Sequence, residues 1–319
     1  MKITVIGCGR WGSFLGWYAN ELEYEVLIWG RKTSNKLKQL KKERENEYLQ
    51  LNEDIHLSSS LNEAVSFGDI IIISVSSQQL RNVCQKLNKF DLNKKYIILA
   101  MKGIENKTGL RLTQVFNEEI KQDYRLAVWV GPGHVQAFVK GVPNCMLISS
   151  AKIDVTKKIV DCFSSELIRL YIGQDLIGNE IGAGAKNVIG IAAGMLDGLN
   201  YNSLKGALMA RGSREISRLV RAMGGNELTI YGLSHIGDYE ATLFSSYSNN
   251  RKFGEDLVKD NEFNKLAEGA STVKSLMLLS DKYNIDMPIS EAVYSVIYEK
   301  RDPETVLKDL FMRSTKFEF

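Results

Sequence analysis

The feature that most constrains the fold is a glycine cluster that directly follows the first apolar run of the chain. The run is Lys2–Ile6, the cluster Gly7–Gly12 reads GCGRWG, and helical periodicity follows over Ser13–Leu22. In a strand, turn and helix of this kind, the first glycine permits the tight turn, the second admits a pyrophosphate, and the third lets the helix pack closely on the strand. The helix N-terminus adds unpaired N–H groups and a positive dipole end. The cluster predicts a dinucleotide-binding site, with a plain strand-to-helix turn as the alternative.

The first half of the chain alternates short β-branched runs with polar stretches of helical length, which is typical of strand–helix units around a parallel sheet. We predict strands at Lys2–Ile6, Glu25–Trp29, Ile70–Val75, Tyr96–Met101 and Ala127–Val130. Several of them are apolar on both faces, which indicates a sheet covered by helices on each side. The fold class we predict is α/β, with an N-terminal doubly wound (Rossmann) dinucleotide-binding domain followed by an all-α C-terminal domain.

The character of the sequence changes at about Gly178, where strand-like runs give way to long segments with helical periodicity. These segments are Lys186–Leu196, Ser203–Met223, Ser271–Tyr283 and Ile289–Tyr298. A chain of 319 residues is also about twice the usual size of one domain. We place the boundary near Gly173, so that residues 1–173 form the dinucleotide-binding domain and residues 174–319 form a helical substrate and catalytic domain.

Composition narrows the classes of partner. The 41 basic and 38 acidic residues leave a charge of +3, which is too slight to argue for nucleic acid. No apolar stretch approaches the ~18 residues of a membrane span. The cysteines (Cys8, Cys84, Cys145, Cys162) and histidines (His56, His134, His235) lie far apart. We therefore expect a cytoplasmic protein with no metal site, no inserted membrane segment and no nucleic-acid partner.

The end of the second predicted strand bears on the choice between NAD and NADP. An acidic side chain there would accept a hydrogen bond from a ribose hydroxyl, but the stretch reads Trp29-Gly30-Arg31-Lys32-Thr33. Its cations suit a 2′-phosphate, and ordinary exposed loop cations are the alternative. The cofactor we expect is NADP or NAD, with NADP slightly favoured and Arg31 as the reader of the phosphate. The next stretch, Lys36–Glu47, is rich in lysine, which would suit an anion-binding arm, but its lysines are interspersed with glutamates. This mixture favours a solvated helix or loop face.

One lysine in the second half stands among small residues. On a helix, Gly182, Lys186, Gly190 and Ala193 share a face, so that cofactor and substrate could approach the lysine closely. A tightly packed helix pair whose lysine snorkels to water fits the same spacing. The spacing alone does not decide between the two.

These segments, with several others, resemble the soluble, bacterial-type NAD(P)-dependent glycerol-3-phosphate dehydrogenase family nearly from end to end. The matching motifs are Gly7–Gly12 with Trp11, Ser77-Gln78, Lys102-Gly103, Gly131-Pro132, Lys186-Asn187, Leu233–Asp238, Asn250-Arg251 and Glu268-Gly269. The resemblance implies hydride transfer from a reduced nicotinamide cofactor to dihydroxyacetone phosphate, which gives glycerol 3-phosphate. It also implies a place in glycerol-3-phosphate metabolism and phospholipid biosynthesis, with a homodimer as a candidate assembly.

The resemblance also assigns roles to residues. Lys186 matches the catalytic lysine, whose pKa desolvation would lower toward a value useful for general acid–base work. Asp238 matches the acid that orients its ammonium, and Lys102 matches a lysine that contacts substrate near the nicotinamide. Substrate contacts are implied for Lys102, Gly131, Gly133, Asn187, Thr242, Ser248, Asn249, Asn250 and Arg251. Cofactor contacts are implied for Gly7, Gly9, Arg10, Trp11, Gly12, Lys102, Val135, Asn249, Leu266 and Glu268.

The chain departs from the family pattern at three places. Gly133 stands where the common loop has a serine, a loss that His134 could offset, and Ser76 replaces the usual proline. Asn249 replaces the first arginine of an Arg-Asn-Arg run, which normally pairs with the substrate phosphate. An asparagine offers neutral donors, and charge-assisted bonds to phosphate are about twice as strong.

The third departure leaves the identity of the substrate open. Either Arg251, Lys252 or Lys205 compensates for the missing arginine, or the substrate differs. The alternatives are therefore a related dehydrogenase of another small phosphopolyol or keto compound, and a non-catalytic protein that senses the dinucleotide ratio.

Overall fold

The computed structural model describes residues 1–315 and 317–318, and within them the apolar runs of the first half form one eight-stranded sheet. The strands are β1 (Lys2–Ile6), β2 (Glu25–Trp29), β3 (His56–Ser58), β4 (Ile70–Ile73), β5 (Tyr96–Leu99), β6 (Arg125–Val130), β7 (Asn144–Ser149) and β8 (Ile168–Gly173). Their order is β3-β2-β1-β4-β5-β6-β7-β8. Neighbouring strands are parallel except β6 and β7, which are antiparallel. The doubly wound α/β class predicted from the sequence is confirmed.

The helices are α1 (Arg10–Glu21), α2 (Asn35–Glu43), α3 (Leu61–Phe67), α4 (Leu80–Leu87), α5 (Leu112–Glu119), α6 (Val135–Phe138), α7 (Ile153–Phe163), α8 (Leu176–Gly198), α9 (Lys205–Ala222), α10 (Asn249–Val258), α11 (Glu268–Tyr283), α12 (Pro288–Tyr298) and α13 (Pro303–Phe311). The helical character predicted for the C-terminal part is confirmed. None of the helices in the described part of the chain combines the length and low polarity that crossing a membrane requires.

Three strands escaped the sequence prediction, which recognised continuous apolar runs. β3 has only three residues, and β7 begins with the polar, exposed Asn144. β8 lies at the edge of the sheet, where Arg169 and Tyr171 alternate with buried neighbours. An edge strand with one solvated face resembles an amphipathic segment more than a buried strand.

The chain divides into two compact units. The first comprises Met1–Lys102 and Leu110–Glu180, and the second comprises Gly103–Gly109 and Ile181–Phe319. Gly173, near which we place the domain boundary, is the last residue of β8, and that boundary stays a prediction.

The core of the first unit lies between the sheet and its helices. All four residues of β4 are buried, and so are the last four of β1 and β2. Phe14 of α1 stacks on Phe138 of α6, with ring centroids 5.1 Å apart. This contact holds the start of α1 beside the loop that follows β6, and both segments carry predicted cofactor residues.

Candidate active site

Two glycines of the first loop occupy positions that no other residue can fill. Gly7 has a φ of +124°, and a Cβ there would lie 2.1 Å from the carbonyl oxygen of Ser74. A Cβ on Gly12 would lie 2.0 Å from the carbonyl oxygen of Gly7. Any side chain at either position would break the turn or push α1 off β1. The first and third glycines therefore have the geometry that the dinucleotide-binding pattern requires.

The second glycine is open where the other two are crowded. A Cβ on Gly9 would meet the ammonium nitrogen of Lys36 at 4.0 Å, in ordinary van der Waals range. Gly9 is also the N-cap of α1 and offers no side chain to cap it. The first backbone N–H groups of α1 thus lie behind an uncrowded glycine, and this cradle fits the pyrophosphate of a dinucleotide.

The sequence interpretation does not single out Lys36, because the mixed lysine and glutamate of Lys36–Glu47 favour a solvated face over an anion-binding arm. Much of that segment is helical, since α2 begins at Asn35, is capped by Ser34 and buries Leu37 and Leu40. Lys36 lies in its first turn. The turn from Arg31 to Ser34 precedes it, and the Ser34 hydroxyl lies 3.7 Å from Sγ of Cys8 in the glycine loop. The few residues between Arg31 and this capped helix are the sequence signal that could have placed Lys36 near the glycine loop. Arg31 itself is exposed, two residues after the end of β2.

Arg10 and Trp11 follow the glycine at the start of α1. The guanidinium of Arg10 lies over the ring of Tyr48, 5.6 Å from its centroid. Trp11 packs on Phe14 and Phe138, with centroids 5.0 and 6.3 Å apart. The two side chains thereby hold the first turn of α1 against its neighbours.

The loop after β6 explains one departure from the family pattern. Gly133 has a φ of +151°, and a Cβ there would lie 2.3 Å from the ring of Phe138. A serine would strain the backbone and clash with Phe138, so Gly133 is required by this loop conformation. Gly131 is held similarly, with a φ of +128°, and its carbonyl accepts a hydrogen bond of 2.6 Å from the ammonium of Lys102. Val135 is buried at the start of α6.

The second unit contains a buried ion pair. Lys186 of α8 places its ammonium nitrogen 3.0 Å from Oδ2 of Asp238, and the two side chains are 7% and 2% exposed. Lys186 also donates to Oγ1 of Thr242, which in turn donates to the carbonyl of Asp238 at 2.7 Å. The lysine therefore does not snorkel to water. The Asp238 carboxylate and the Thr242 hydroxyl both hold its ammonium.

The small residues around Lys186 explain how a polar segment reaches it. A Cβ on Gly190 would lie 2.7 Å from Cγ2 of Thr242. A Cβ on Gly182 would lie 3.2 Å from Cβ of His235. Gly182 and Gly190 lie one turn before and one turn after Lys186 on the same helix face. They leave room for the segment that carries Asp238 and Thr242.

The start of α11 packs against the residue after the lysine. A Cβ on Gly269 would lie 2.5 Å from the carbonyl oxygen of Asn187, and the N–H of Gly269 donates to Oδ1 of Asn250 at 2.9 Å. Asn249 donates from Nδ2 to the carbonyl of Leu266 at 3.2 Å. The structure thus places Asn187, Asn249, Asn250 and Leu266 with Glu268, the first residue of α11, in one neighbourhood of the second unit.

With this geometry established, comparison with known proteins identifies the family. A model described as the N-terminus of NAD-dependent glycerol-3-phosphate dehydrogenase matches residues 2–156, and one described as its C-terminus matches residues 175–308. The chain belongs to the NAD-dependent glycerol-3-phosphate dehydrogenase family. The resemblance stated from the sequence is confirmed.

Individual members of the glycerol-3-phosphate dehydrogenase family match along their whole length. A protein of Fusobacterium nucleatum named glycerol-3-phosphate dehydrogenase [NAD(P)+] is 34% identical, covering 100% of this chain and 98% of its own. One of the same name from Staphylococcus saprophyticus is 35% identical, covering 99% of both. The crystal structure of the glycerol-3-phosphate dehydrogenase of Coxiella burnetii is 26% identical, with a TM-score of 0.90 over 98% of this chain and 99% of that one.

Within this dehydrogenase, the three cations considered as substitutes for the missing arginine are engaged with carboxylates. Arg251 donates from Nη1 to Asp197 at 2.6 Å and to Glu255 at 3.2 Å. Lys205 is paired with Asp197 at 2.7 Å, and Lys252 with Asp256 at 2.9 Å.

Arg251 nevertheless has one guanidinium nitrogen, Nη2, that these carboxylates do not engage. Its Nε donates to the carbonyl of Ser245 at 3.3 Å, and its Nη2 makes no hydrogen bond to the residues that the structure describes. Its backbone N–H donates to Oγ of Ser248, the N-cap of α10. Arg251 therefore has an N–H donor to offer close to the N-cap of α10.

Proposed function

We propose that this chain catalyses the NAD(P)H-dependent reduction of dihydroxyacetone phosphate to glycerol 3-phosphate, with Lys186 as the general acid. The observation that carries the proposal is the buried pair of Lys186 and Asp238, 3.0 Å apart, on a chain of this family. A buried ion pair contributes little to stability by itself. A buried ammonium held in one orientation suits the transfer of a proton to a developing alkoxide.

The chemistry is divided between the cofactor and the chain. When bound, the reduced nicotinamide supplies the hydride that reaches the C2 carbonyl of the substrate. Lys186 donates a proton to the oxygen on C2. That oxygen becomes the hydroxyl of the product, and the lysine remains as a neutral amine. In the oxidation direction the amine takes that proton back. Asp238 and Thr242 orient the ammonium through both steps.

The first unit supplies the residues for the cofactor. Gly7, Gly9 and Gly12 form the cradle for the pyrophosphate, and Arg31 is our candidate for the adenosine 2′-phosphate, which favours NADP slightly over NAD. Lys36 joins them as a cation beside Gly9. Lys102, held by the carbonyl of Gly131, is our candidate for a contact with the substrate near the nicotinamide.

The binding of the substrate phosphate is the part of the proposal that departs from the family pattern. Asn249 supplies neutral donors, and Gly133 supplies no hydroxyl. We propose that Nη2 of Arg251 supplies the charge, because the remainder of that guanidinium is already fixed by Asp197, Glu255 and Ser245. These two departures also support the second candidate, a dehydrogenase of another small phosphopolyol or keto compound.

The cellular compartment and the oligomeric state complete the proposal. All four cysteines are free thiols, which persist in a reducing cytoplasm. A homodimer is the assembly we propose to test by measuring the mass of the protein in solution.

The test of the proposed function is the oxidation of NADH and NADPH by the purified protein with a panel of ketones. We expect turnover with dihydroxyacetone phosphate and much slower turnover with dihydroxyacetone. Efficient turnover of only an unphosphorylated ketone would favour the second candidate. Cofactor binding without turnover of any ketone would favour a protein that senses the dinucleotide ratio.

A further inference from the structure

Two buried residues behind the ion pair, His235 and Tyr239, form a series of hydrogen bonds. His235 lies within the matching motif Leu233–Asp238, but neither side chain has a role in the proposed chemistry. They are 0% and 1% exposed. The Tyr239 hydroxyl lies 2.6 Å from Nε2 of His235, and Nδ1 of His235 lies 2.8 Å from the carbonyl oxygen of Gly182. The hydroxyl of Ser213, on α9, lies 3.2 Å from the Tyr239 hydroxyl.

The direction of these hydrogen bonds follows from the chemistry of the groups. A carbonyl only accepts, so Nδ1 of His235 carries the ring proton and donates to Gly182. Nε2 must then accept, so the hydroxyl of Tyr239 donates to it. The oxygen of Tyr239 in turn accepts from Ser213. All three bonds are satisfied by a neutral imidazole in one tautomer.

Charged and titratable groups face the hydrogen-bonded side chains of His235 and Tyr239 from several elements. Lys186 approaches from α8, Asp238 belongs to the same segment as His235, and Glu215 of α9 faces Tyr239. Burial, reinforced by the charge of Lys186, lowers the pKa of His235 to about 4. The imidazole therefore stays neutral near neutral pH, and the hydrogen bonds keep their direction.

Two groups in this series of hydrogen bonds, the Gly182 carbonyl and Tyr239, lie next to the two members of the ion pair. Gly182 is four residues before Lys186 on α8, which places its carbonyl on the same helix face one turn away. Tyr239 directly follows Asp238. A side chain at position 182 would press on His235 and Ser234, since its Cβ would lie 3.2 and 3.3 Å from their nearest atoms. The bonds thus connect the backbone of α8 to the segment that carries the carboxylate.

We propose that His235 and Tyr239 are positioning residues, which hold Asp238 against Lys186 and so set the geometry of proton transfer. The proposal rests on the proposed role of Lys186. Small displacements of a reacting group cost large factors in rate. The pair acts through Asp238 and does not touch the substrate.

The first test is Tyr239→Phe, which keeps the ring and removes the donor to His235. We expect kcat to fall about tenfold while KM for substrate and cofactor changes less than about twofold. The alkaline limb of the pH–rate profile should move to lower pH, because an ammonium with a displaced carboxylate loses its proton more easily. A kcat and a pH profile equal to those of the parent would overturn the proposal.

Tyr18→Phe is the matched control. Tyr18 is also buried, and its hydroxyl donates to the carbonyl of Phe163 at 2.6 Å in the first unit. We expect it to lower thermal stability comparably and to leave the pH profile unchanged. Equal shifts of the profile in both variants would reduce the role of Tyr239 to general stability, which contradicts the proposal.

A second measurement does not depend on turnover or on the folding of a variant. The chain has three histidines, so ¹⁵N spectra of the histidine-labelled protein resolve each ring. We expect a ring protonated on Nδ1 that stays neutral down to about pH 4. An Nε2-protonated ring, or titration near the ordinary value of 6.5, would overturn the proposal. Failure of the proposed function would appear differently, as a parent protein that turns over no ketone.

Discussion

The ammonium nitrogen of Lys186 lies 3.0 Å from Oδ2 of Asp238, and neither side chain is more than 7% exposed. Desolvation of two charges can cost as much as their attraction returns, so a pair of this kind is weak evidence for stability. Removal of one partner is different, because it leaves a charge buried alone. The pair is therefore a good place to separate a contribution to stability from a contribution to chemistry.

Asp238→Asn tests the electrostatic part of this relationship. We expect the free energy of unfolding to fall by roughly 3–5 kcal/mol, because the Lys186 ammonium would lose its buried carboxylate. The double variant Lys186→Met, Asp238→Asn should recover most of that stability and have no turnover. Denaturant unfolding of the single and double variants measures both effects. If the double variant is no more stable than Asp238→Asn, the two charges are not coupled.

Arg31→Ala tests the choice of cofactor. Loss of a charged hydrogen bond to the 2′-phosphate should weaken NADPH binding by roughly 1.5–3 kcal/mol and leave NADH almost unaffected. Lys36→Ala should weaken both cofactors, since Lys36 lies beside Gly9 and not at the end of β2. Lys38→Ala, an exposed lysine on the same helix, is the control. Titration of cofactor fluorescence reads all three, and an equal loss of both cofactors in Arg31→Ala refutes its assignment.

Asn249→Arg and Arg251→Ala together test how the phosphate is bound. If Arg251 supplies the charge, Arg251→Ala should raise KM for dihydroxyacetone phosphate about ten- to hundredfold, and Asn249→Arg should bring no gain. If nothing has replaced the missing arginine, Asn249→Arg should instead lower KM by that factor. Lys259→Ala, which leaves Arg251 in contact with Glu255, is the control. Steady-state kinetics on phosphorylated and unphosphorylated ketones separates these cases.

The parts of the structure that local chemistry dictates were accessible from the sequence. The glycine loop is one, because Gly7 and Gly12 meet their constraints within a single strand, turn and helix. The face of small residues on α8 is another, since Gly182 and Gly190 stand one helical turn on either side of Lys186, although the spacing alone does not show that protein packs against it. Strands such as β8 escaped because an edge strand buries one face only.

The remainder of the site depends on contacts between residues far apart in the chain. Asp238 after a glycine reads as a turn residue, and only the family resemblance placed it beside a lysine. His235 was one of three scattered histidines, and its burial against Gly182 is a product of tertiary packing. The need for glycine at position 133 follows from the ring of Phe138, which the loop sequence does not reveal.

Glu215→Gln tests a pH dependence of stability. Burial raises the pKa of Glu215 from 4.5 to about 7, although its carboxylate accepts hydrogen bonds from Ser290 and Ile289. Between these two values the folded state binds more protons than the unfolded state, so the free energy of unfolding falls as pH rises. Glutamine at this position does not titrate, so it removes the contribution of Glu215 to the pH dependence of the free energy of unfolding. Relative to the parent, the variant should therefore gain up to about 3 kcal/mol between about pH 4.5 and pH 8.

The control for this prediction is Glu53→Gln, whose side chain is 90% exposed in the parent. Its stability should follow the parent at every pH. Thermal denaturation across the pH range measures all three proteins. Parallel curves for Glu215→Gln and the parent would show that Glu215 stays ionised in the folded protein.

The most direct test of the account is the single-turnover oxidation of bound NADPH or NADH by dihydroxyacetone phosphate in Lys186→Ala. The control is Lys95→Ala, which removes a lysine whose ammonium donates to the carbonyl of Gly68 away from the proposed chemistry. If Lys186 is the general acid, its variant should react ~10²–10⁴-fold more slowly than the parent and bind the cofactor with unchanged affinity. A Lys186→Ala variant that keeps more than about a tenth of the parent rate would contradict the account, because no general acid of that strength could then reside at Lys186.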